Sequence, residues 1–178
     1  MIFLDLPTQL QRYSGFSEET PVINRFKELL KHPCAYHRDH LPGHITGSAW
    51  IVNKEQTKAL LVQHAKLKRW LQPGGHADGE RDVLNVARRE AEEETGLRKL
   101  KLLREGVFDL DIHLIPDRSD FPQHWHYDVR FLFEVDENDE LLISDESTGL
   151  KWFELHLLKE LTENNDSIMR MVRKTNIL

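Results

Sequence analysis

Four glutamates, Glu90, Glu92, Glu93 and Glu94, crowd five positions of a segment that reads as helix. Glu90, Glu93 and Glu94 stand three and four residues apart, so they share a helix face, and like charges at that spacing cost roughly 0.2–0.5 kcal/mol per pair. They also sit toward the C-terminal end of the helix, where the macrodipole disfavours negative charge. A divalent cation that neutralises them removes both penalties. Oxygen-only ligands suit Mg²⁺ and Mn²⁺, and magnesium is usually held by a few carboxylates together with substrate phosphates. The competing reading is a solvated acidic face. The formal net charge is −6 with basic residues scattered, which argues against a nucleic-acid binder, since that would carry a basic patch. A protein that acts on phosphates with such a surplus of acid needs a cation between the two.

The glutamates need a rigid support. Asp82 to Thr95 reads as that helix, with Asp82 as its cap and Gly96 where a C-terminal glycine belongs. Val83, Val86, Ala87 and Ala91 form an apolar stripe of small residues, so the helix can lie close to what it covers. The run Gln72-Pro73-Gly74-Gly75 before it reads as a chain breaker.

The segment from Gly74 to Leu97, GGHADGERDVLNVARREAEEETGL, resembles the Nudix box, G-x5-E-x7-R-E-U-x-E-E-x-G-U with U apolar. Arg89 to Leu97 fits it at nine consecutive positions, and Gly75 is the opening glycine. One position departs: Arg81 stands where the first glutamate belongs, with Glu80 one residue early. The resemblance implies an α+β fold, a Nudix-type α/β/α sandwich with a mixed central sheet. It implies a metal-dependent hydrolase that cleaves a diphosphate bond in a nucleotide-like small molecule, such as a nucleotide sugar or an ADP-ribose-like compound, with Mg²⁺ or Mn²⁺ as cofactor. By position, Glu90, Glu93 and Glu94 would be metal ligands, helped by the backbone of Gly75 or Gly74. Arg89 would orient a box glutamate such as Glu93, and Glu93 and Glu94 would serve the chemistry. Glu146, in DESTGLKWF, is similar to the outside glutamate that members recruit as ligand or base; a plain loop carboxylate is the equal alternative. A regulatory module that binds a nucleotide without cutting it is the second reading. An isopentenyl-diphosphate-isomerase-like enzyme is disfavoured, because Cys34 lies outside the expected sheet.

Two segments with period-two patterning read as strands. Val107 to Ile115 alternates Phe108, Leu110, Ile112 and Leu114 with Asp109, Asp111 and His113. His124 to Glu134 alternates Trp125, Tyr127, Val129, Phe131 and Phe133 with His124, His126, Asp128 and Arg130. In one register His113 opposes His126 and Asp111 opposes Asp128. Opposed acids are unfavourable unless a cation lies between them. Three readings of this face stay open: a substrate ledge on which Arg130 grips phosphate beside His113, His126 and Asp128; a solvated face of ordinary ion pairs; or a metal site from His113, His126 and Asp128. His76 and Trp70 flank the Pro-Gly-Gly turn. Trp70 could stack on a base or anchor the core.

Residues 1–42 read as a helical extension packed on a domain at 43–178. Thr20-Pro21 looks like a helix start, followed by the stripe Val22, Ile23, Phe26, Leu29 and Leu30, and His32-Pro33 ends it. His32, His37, His40 and His44 read as surface residues. Ser48 to Val52 and Ala59 to Val62 read as strands joined by a hairpin turn, Gly149 to Phe153 as a last strand, and 155–174 as helical. With 178 residues and 39% hydrophobic content the chain can bury a core. No apolar stretch reaches the roughly 18 residues of a membrane span. The first residues lack a signal pattern, and one cysteine permits no internal disulfide. A cytoplasmic protein acting on a small molecule is expected, without nucleic acid or membrane as partner, with a homodimer open.

Overall fold

The computed structural model describes residues 4–65, 68–119, 121–144, 147–163 and 165–177. Its centre is an eight-stranded mixed sheet. The strands are β1 (Gly43–Val52), β2 (Lys58–His64), β3 (Trp70–Leu71), β4 (Gly74–His76), β5 (Lys101–Leu102), β6 (Asp109–Ile115), β7 (His124–Glu134) and β8 (Ser147–Glu154). The helices are α1 (Leu6–Arg12), α2 (Thr20–Leu29), α3 (Val83–Thr95), α4 (Leu158–Leu161) and α5 (Asp166–Thr175).

The longest pairing is parallel, β1 beside β7 from Gly43↔Trp125 to Val52↔Glu134. β1 also takes β2 and β4 antiparallel, β7 takes β5 and β6, and β2 takes β3 and β8. Because strand side chains alternate between faces, the register sorts them into two layers. One face presents Ile45, Ala49, Ile51, Val129, Phe131 and Phe133 to the small stripe of α3, Val83, Val86, Ala87 and Ala91, all buried. The other presents Trp50, Val52, Ala59, Leu61 and Leu132 to Ile168, Met171 and Val172 of α5 and to Leu155 and Leu158 before it. Among the described residues no helix is long and apolar enough to cross a membrane.

The helical extension joins this core. Leu6, Leu10 and Phe26 are buried in the α3-side cluster, and Val22, Ile23, Leu29 and Leu30 pack on it. Its second anchor is electrostatic. Lys174 of α5 donates to Glu19 Oε1 at 2.7 Å, to Asp109 Oδ1 at 2.6 Å and to the Tyr13 hydroxyl.

Three local expectations change. Thr20 caps nothing: a 3-10 turn at Ser17–Glu19 runs straight into α2, and Thr20 bonds back to the Ser17 carbonyl. Gly74 and Gly75 do not break the chain but pair with Ser48 and Gly47 as β4, since a strand edge needs backbone groups rather than side chains. Phe108 leaves the alternation and packs on the α5 side, because β6 begins only at Asp109.

Gly47 sets the approach of α3. A Cβ there would come within 2.9 Å of the Val83 carbonyl oxygen and 3.2 Å of the Ala87 nitrogen. Gly47→Val is expected to push the helix off the sheet and cost about 1–3 kcal/mol, read as a lower urea midpoint with an unchanged slope.

Candidate active site

The glutamate helix is held at both ends by its own sequence. Asp82 Oδ1 accepts from the Asn85 N–H at 3.1 Å, and Gly96 closes α3 at φ 76°, a left-handed conformation that suits glycine. β4 passes directly against the acidic face. The Gly74 N–H donates to Glu94 Oε1 at 2.8 Å. At Gly75 a Cβ would run into the Glu90 carboxylate, so any side chain there would have to displace it. Arg89 spans the cluster: its Nη1 lies 2.7 Å from Glu90 Oε1 and 3.4 Å from Glu93 Oε2, and its Nη2 donates to the His76 carbonyl at 3.5 Å. Glu93 is the open member, with 60% of its side chain exposed against 18% for Glu90.

Glu94 and Glu90 thus meet the Gly74–Gly75 backbone, and Glu93 stands open on the same helix, so this edge offers hard oxygen donors. That donor set fits a magnesium- or manganese-type ion. The two candidates for the first box position point elsewhere. Arg81 lies 5.7 Å from the Tyr36 ring, and Glu80 accepts from the Asp82 N–H at 2.9 Å. Glu146 lies outside the described residues.

β6 and β7 pair in the register in which Asp111 opposes Asp128 and His113 opposes His126. The cation between the acids is Arg130, at 3% exposure. Its Nε donates to Asp128 at 2.8 Å, its Nη1 to Asp109 at 3.0 Å, and its Nη2 lies 3.3 Å from Asp111. Arg170 of α5 adds two bonds to Asp109, at 2.8 and 2.9 Å, and one to Asp111, at 3.1 Å. Burial raises the Asp109 and Asp111 carboxyls, but these cations outweigh it and hold both below the usual range. Arg130 is therefore an internal counter-charge and does not present its guanidinium to a phosphate. Asp128 is equally occupied, accepting from Thr46, Ser48, Gln72 and Arg130, so it is no partner in a metal site with His113 and His126. His113 instead lies 3.2 Å from Asp111. Trp70 is half-buried with its ring edge-on to Phe153, 4.9 Å away.

His44, expected at the surface, is 1% exposed. The β1–β7 pairing places it opposite His126, with His76 and His124 rings at 5.2 and 5.0 Å. Burial, seconded by neighbouring imidazoles, lowers His44 to about 4. Burial and the Arg38 charge lower His76 to about 4, and burial with its imidazole neighbours takes His126 lower still. A sequence signal for His44 existed: His44, Thr46 and Ser48 alternate toward buried Trp50. Arg170 and Lys174 were also missed, although their four-residue spacing puts both on one face of a helix.

The family model of the NUDIX domain matches residues 43–172. A protein of Lactococcus lactis subsp. cremoris (strain MG1363), named a probable DHNTP pyrophosphohydrolase, is 30% identical over 129 residues, covering 71% of this chain and 70% of its own. Among solved structures, a Caenorhabditis elegans Ap4A hydrolase binary complex superposes with a TM-score of 0.60 at 20% identity, covering 75% of this chain and 95% of that one. The Escherichia coli dihydroneopterin triphosphate pyrophosphohydrolase gives 0.59 at 12% identity, over 75% and 96%. At these identities the structural likenesses establish the fold.

Arg130→Met removes the cation that Asp128 shares with Asp109 and Asp111 and should cost about 3–5 kcal/mol, measured by chemical denaturation at neutral pH. A histidine that titrates near 6.5 when unfolded but near 4 when folded makes the unfolded state the better proton binder below pH 6.5. Stability should therefore fall as pH drops from about 6.5 toward 4, above the range where Asp109 and Asp111 protonate. Unfolding temperature against pH in chelator reads this, and His126→Asn should flatten the slope.

Proposed function

Because the chain belongs to the Nudix hydrolase family and hydrolyses pyrophosphate bonds, we propose that it cleaves a phosphoric anhydride in a nucleotide-like small molecule, using Mg²⁺ or Mn²⁺ held by Glu90, Glu93 and Glu94. The observation that carries this reading is the contact of Gly74 and Gly75 with Glu94 and Glu90. That contact holds two of the carboxylates against glycine backbone on one edge of α3, where a cation would relieve the repulsion among the glutamates.

A divalent cation held there supplies charge neutralisation on the diphosphate oxygens and acidifies water. The chain's own groups do the rest. The Gly74 N–H fixes the direction of Glu94. Arg89 keeps Glu90 and Glu93 from splaying apart. Glu93 is the most open of them, and in this reading it accepts the proton of the attacking water. Water adds to one phosphorus, the bridging oxygen leaves with the other phosphate, and the proton passes to the carboxylate. No covalent enzyme intermediate is required. The half-buried His76, His113 and Trp70 are the side chains proposed to meet the organic part of the substrate.

The substrate class follows from a panel: ADP-ribose, nucleotide sugars, dinucleoside polyphosphates and dihydroneopterin triphosphate, each with Mg²⁺ or Mn²⁺. Metal-dependent cleavage of at least one is expected, with kcat reduced about 100-fold or more in Glu93→Gln. Glu146→Gln measured beside it separates the two candidate bases. Tight metal-dependent binding of a compound without turnover would replace the hydrolase by a nucleotide-binding regulatory module.

A further inference from the structure

The imidazoles on the α5 side of the sheet do not belong to the glutamate cradle. α3 lies against the Gly47 side of β1, whereas His44, one step out of phase along the strand, points to the opposite face. There it meets His124 and His126 of β7. One ring nitrogen from each of the three lies within 4.8 Å of the other two.

Two of the tautomers, those of His124 and His44, are set from behind. His124 Nδ1 lies 2.8 Å from the Pro122 carbonyl. A carbonyl only accepts, so Nδ1 carries the proton and Nε2 keeps its lone pair. His44 Nδ1 faces the His40 carbonyl at 3.4 Å in the same way, which leaves Nε2 as its lone-pair atom. That Nε2 is buried and has no hydrogen-bond partner, in a side chain that is almost wholly inaccessible. A buried polar atom without a partner is costly, so something should satisfy it. His124 Nε2 and His126 Nε2 lie 3.2 Å apart. Two nitrogens on a tetrahedral zinc, each about 2.0–2.1 Å from it, are separated by about 3.4 Å.

Carbonyls that orient ligand rings from the far side are the usual outer shell of a histidine metal site. Neutral imidazoles with no carboxylate among them select a borderline transition metal over magnesium. We propose that His44, His124 and His126 form a second metal site, which binds a zinc-type transition-metal dication through three imidazoles. It is separate from the carboxylates of α3. The ion would give the orphaned His44 nitrogen its partner and tie β1 to β7 at the end of their parallel pairing.

The test uses the full chain, stripped with chelator and dialysed into excess Mg²⁺ so that the carboxylate cradle is filled. Calorimetric titration with Zn²⁺ should then give one equivalent per chain, and Co²⁺ should give the visible absorption of a tetrahedral, nitrogen-ligated ion. His124→Gln and His126→Gln should each weaken Zn²⁺ by more than the 10- to 100-fold that loss of an outer-shell partner costs. Glu93→Gln and the exposed His32→Gln should retain the full equivalent. Zn²⁺ should raise the unfolding temperature of the wild type and of Glu93→Gln, but not of the His124 and His126 variants, and far-ultraviolet circular dichroism of the apo variants verifies that they are folded. The proposal is overturned if the wild type takes up no Zn²⁺ beside Mg²⁺. It is equally overturned if the equivalent survives in His124→Gln and His126→Gln, or disappears in Glu93→Gln or His32→Gln.

Discussion

Arg130 is the charge around which the sheet is organised. Its guanidinium lies inside the protein between Asp109, Asp111 and Asp128, where an unpaired acid would be far too costly to bury. β6 and β7 can only align as they do because this cation separates Asp111 from the Asp128 that opposes it. The same aspartates draw in Arg170 and Lys174, which fixes α5 over the sheet, and Lys174 in turn holds Glu19 and Tyr13 of the N-terminal extension. One buried network thus joins three separated parts of the chain. Burial weakens each cation's hold on its proton, but the facing aspartates more than compensate, so Arg130 and Arg170 stay charged.

The opposite face follows a steric rule. α3 can carry a crowded acidic edge because its other side is nearly all small residues, and Gly47 lets it settle onto β1. That close seat brings β4 within hydrogen-bonding reach of Glu94 and Gly75 against Glu90. The proposed metal-binding edge and the packing stripe therefore lie on different sides of the same helix. The electrostatic cost of the glutamates is borne by a helix whose stability comes from its buried stripe and its two capped ends.

Much of the site was legible in the sequence because it is local. The Asp82 cap, the Gly96 terminus and the glutamate spacing all depend on residues within one or two helical turns, and the structure keeps each of them. Period-two patterning told which residues of β6 and β7 share a face, and of the registers that this allows the structure takes the one in which His113 opposes His126. Arg130 was misread for a different reason. Alternation says which face a residue takes, but not whether a helix that reaches it with Ser167, 37 residues downstream, covers that face.

The amino-acid sequence by itself determined the family, the acidic helix and the alternating strands, since spacing and caps act over a few residues and need no partner. Only the tertiary structure decided that His44 is buried beside His124 and His126, that Arg130 serves the interior, and that Gly75 touches Glu90. Each of these depends on contacts between segments far apart in the chain: the parallel β1–β7 pairing, the descent of α5 onto Asp109, and the passage of β4 across α3. Parallel strands need a long crossover, so nothing local in either strand announces its partner.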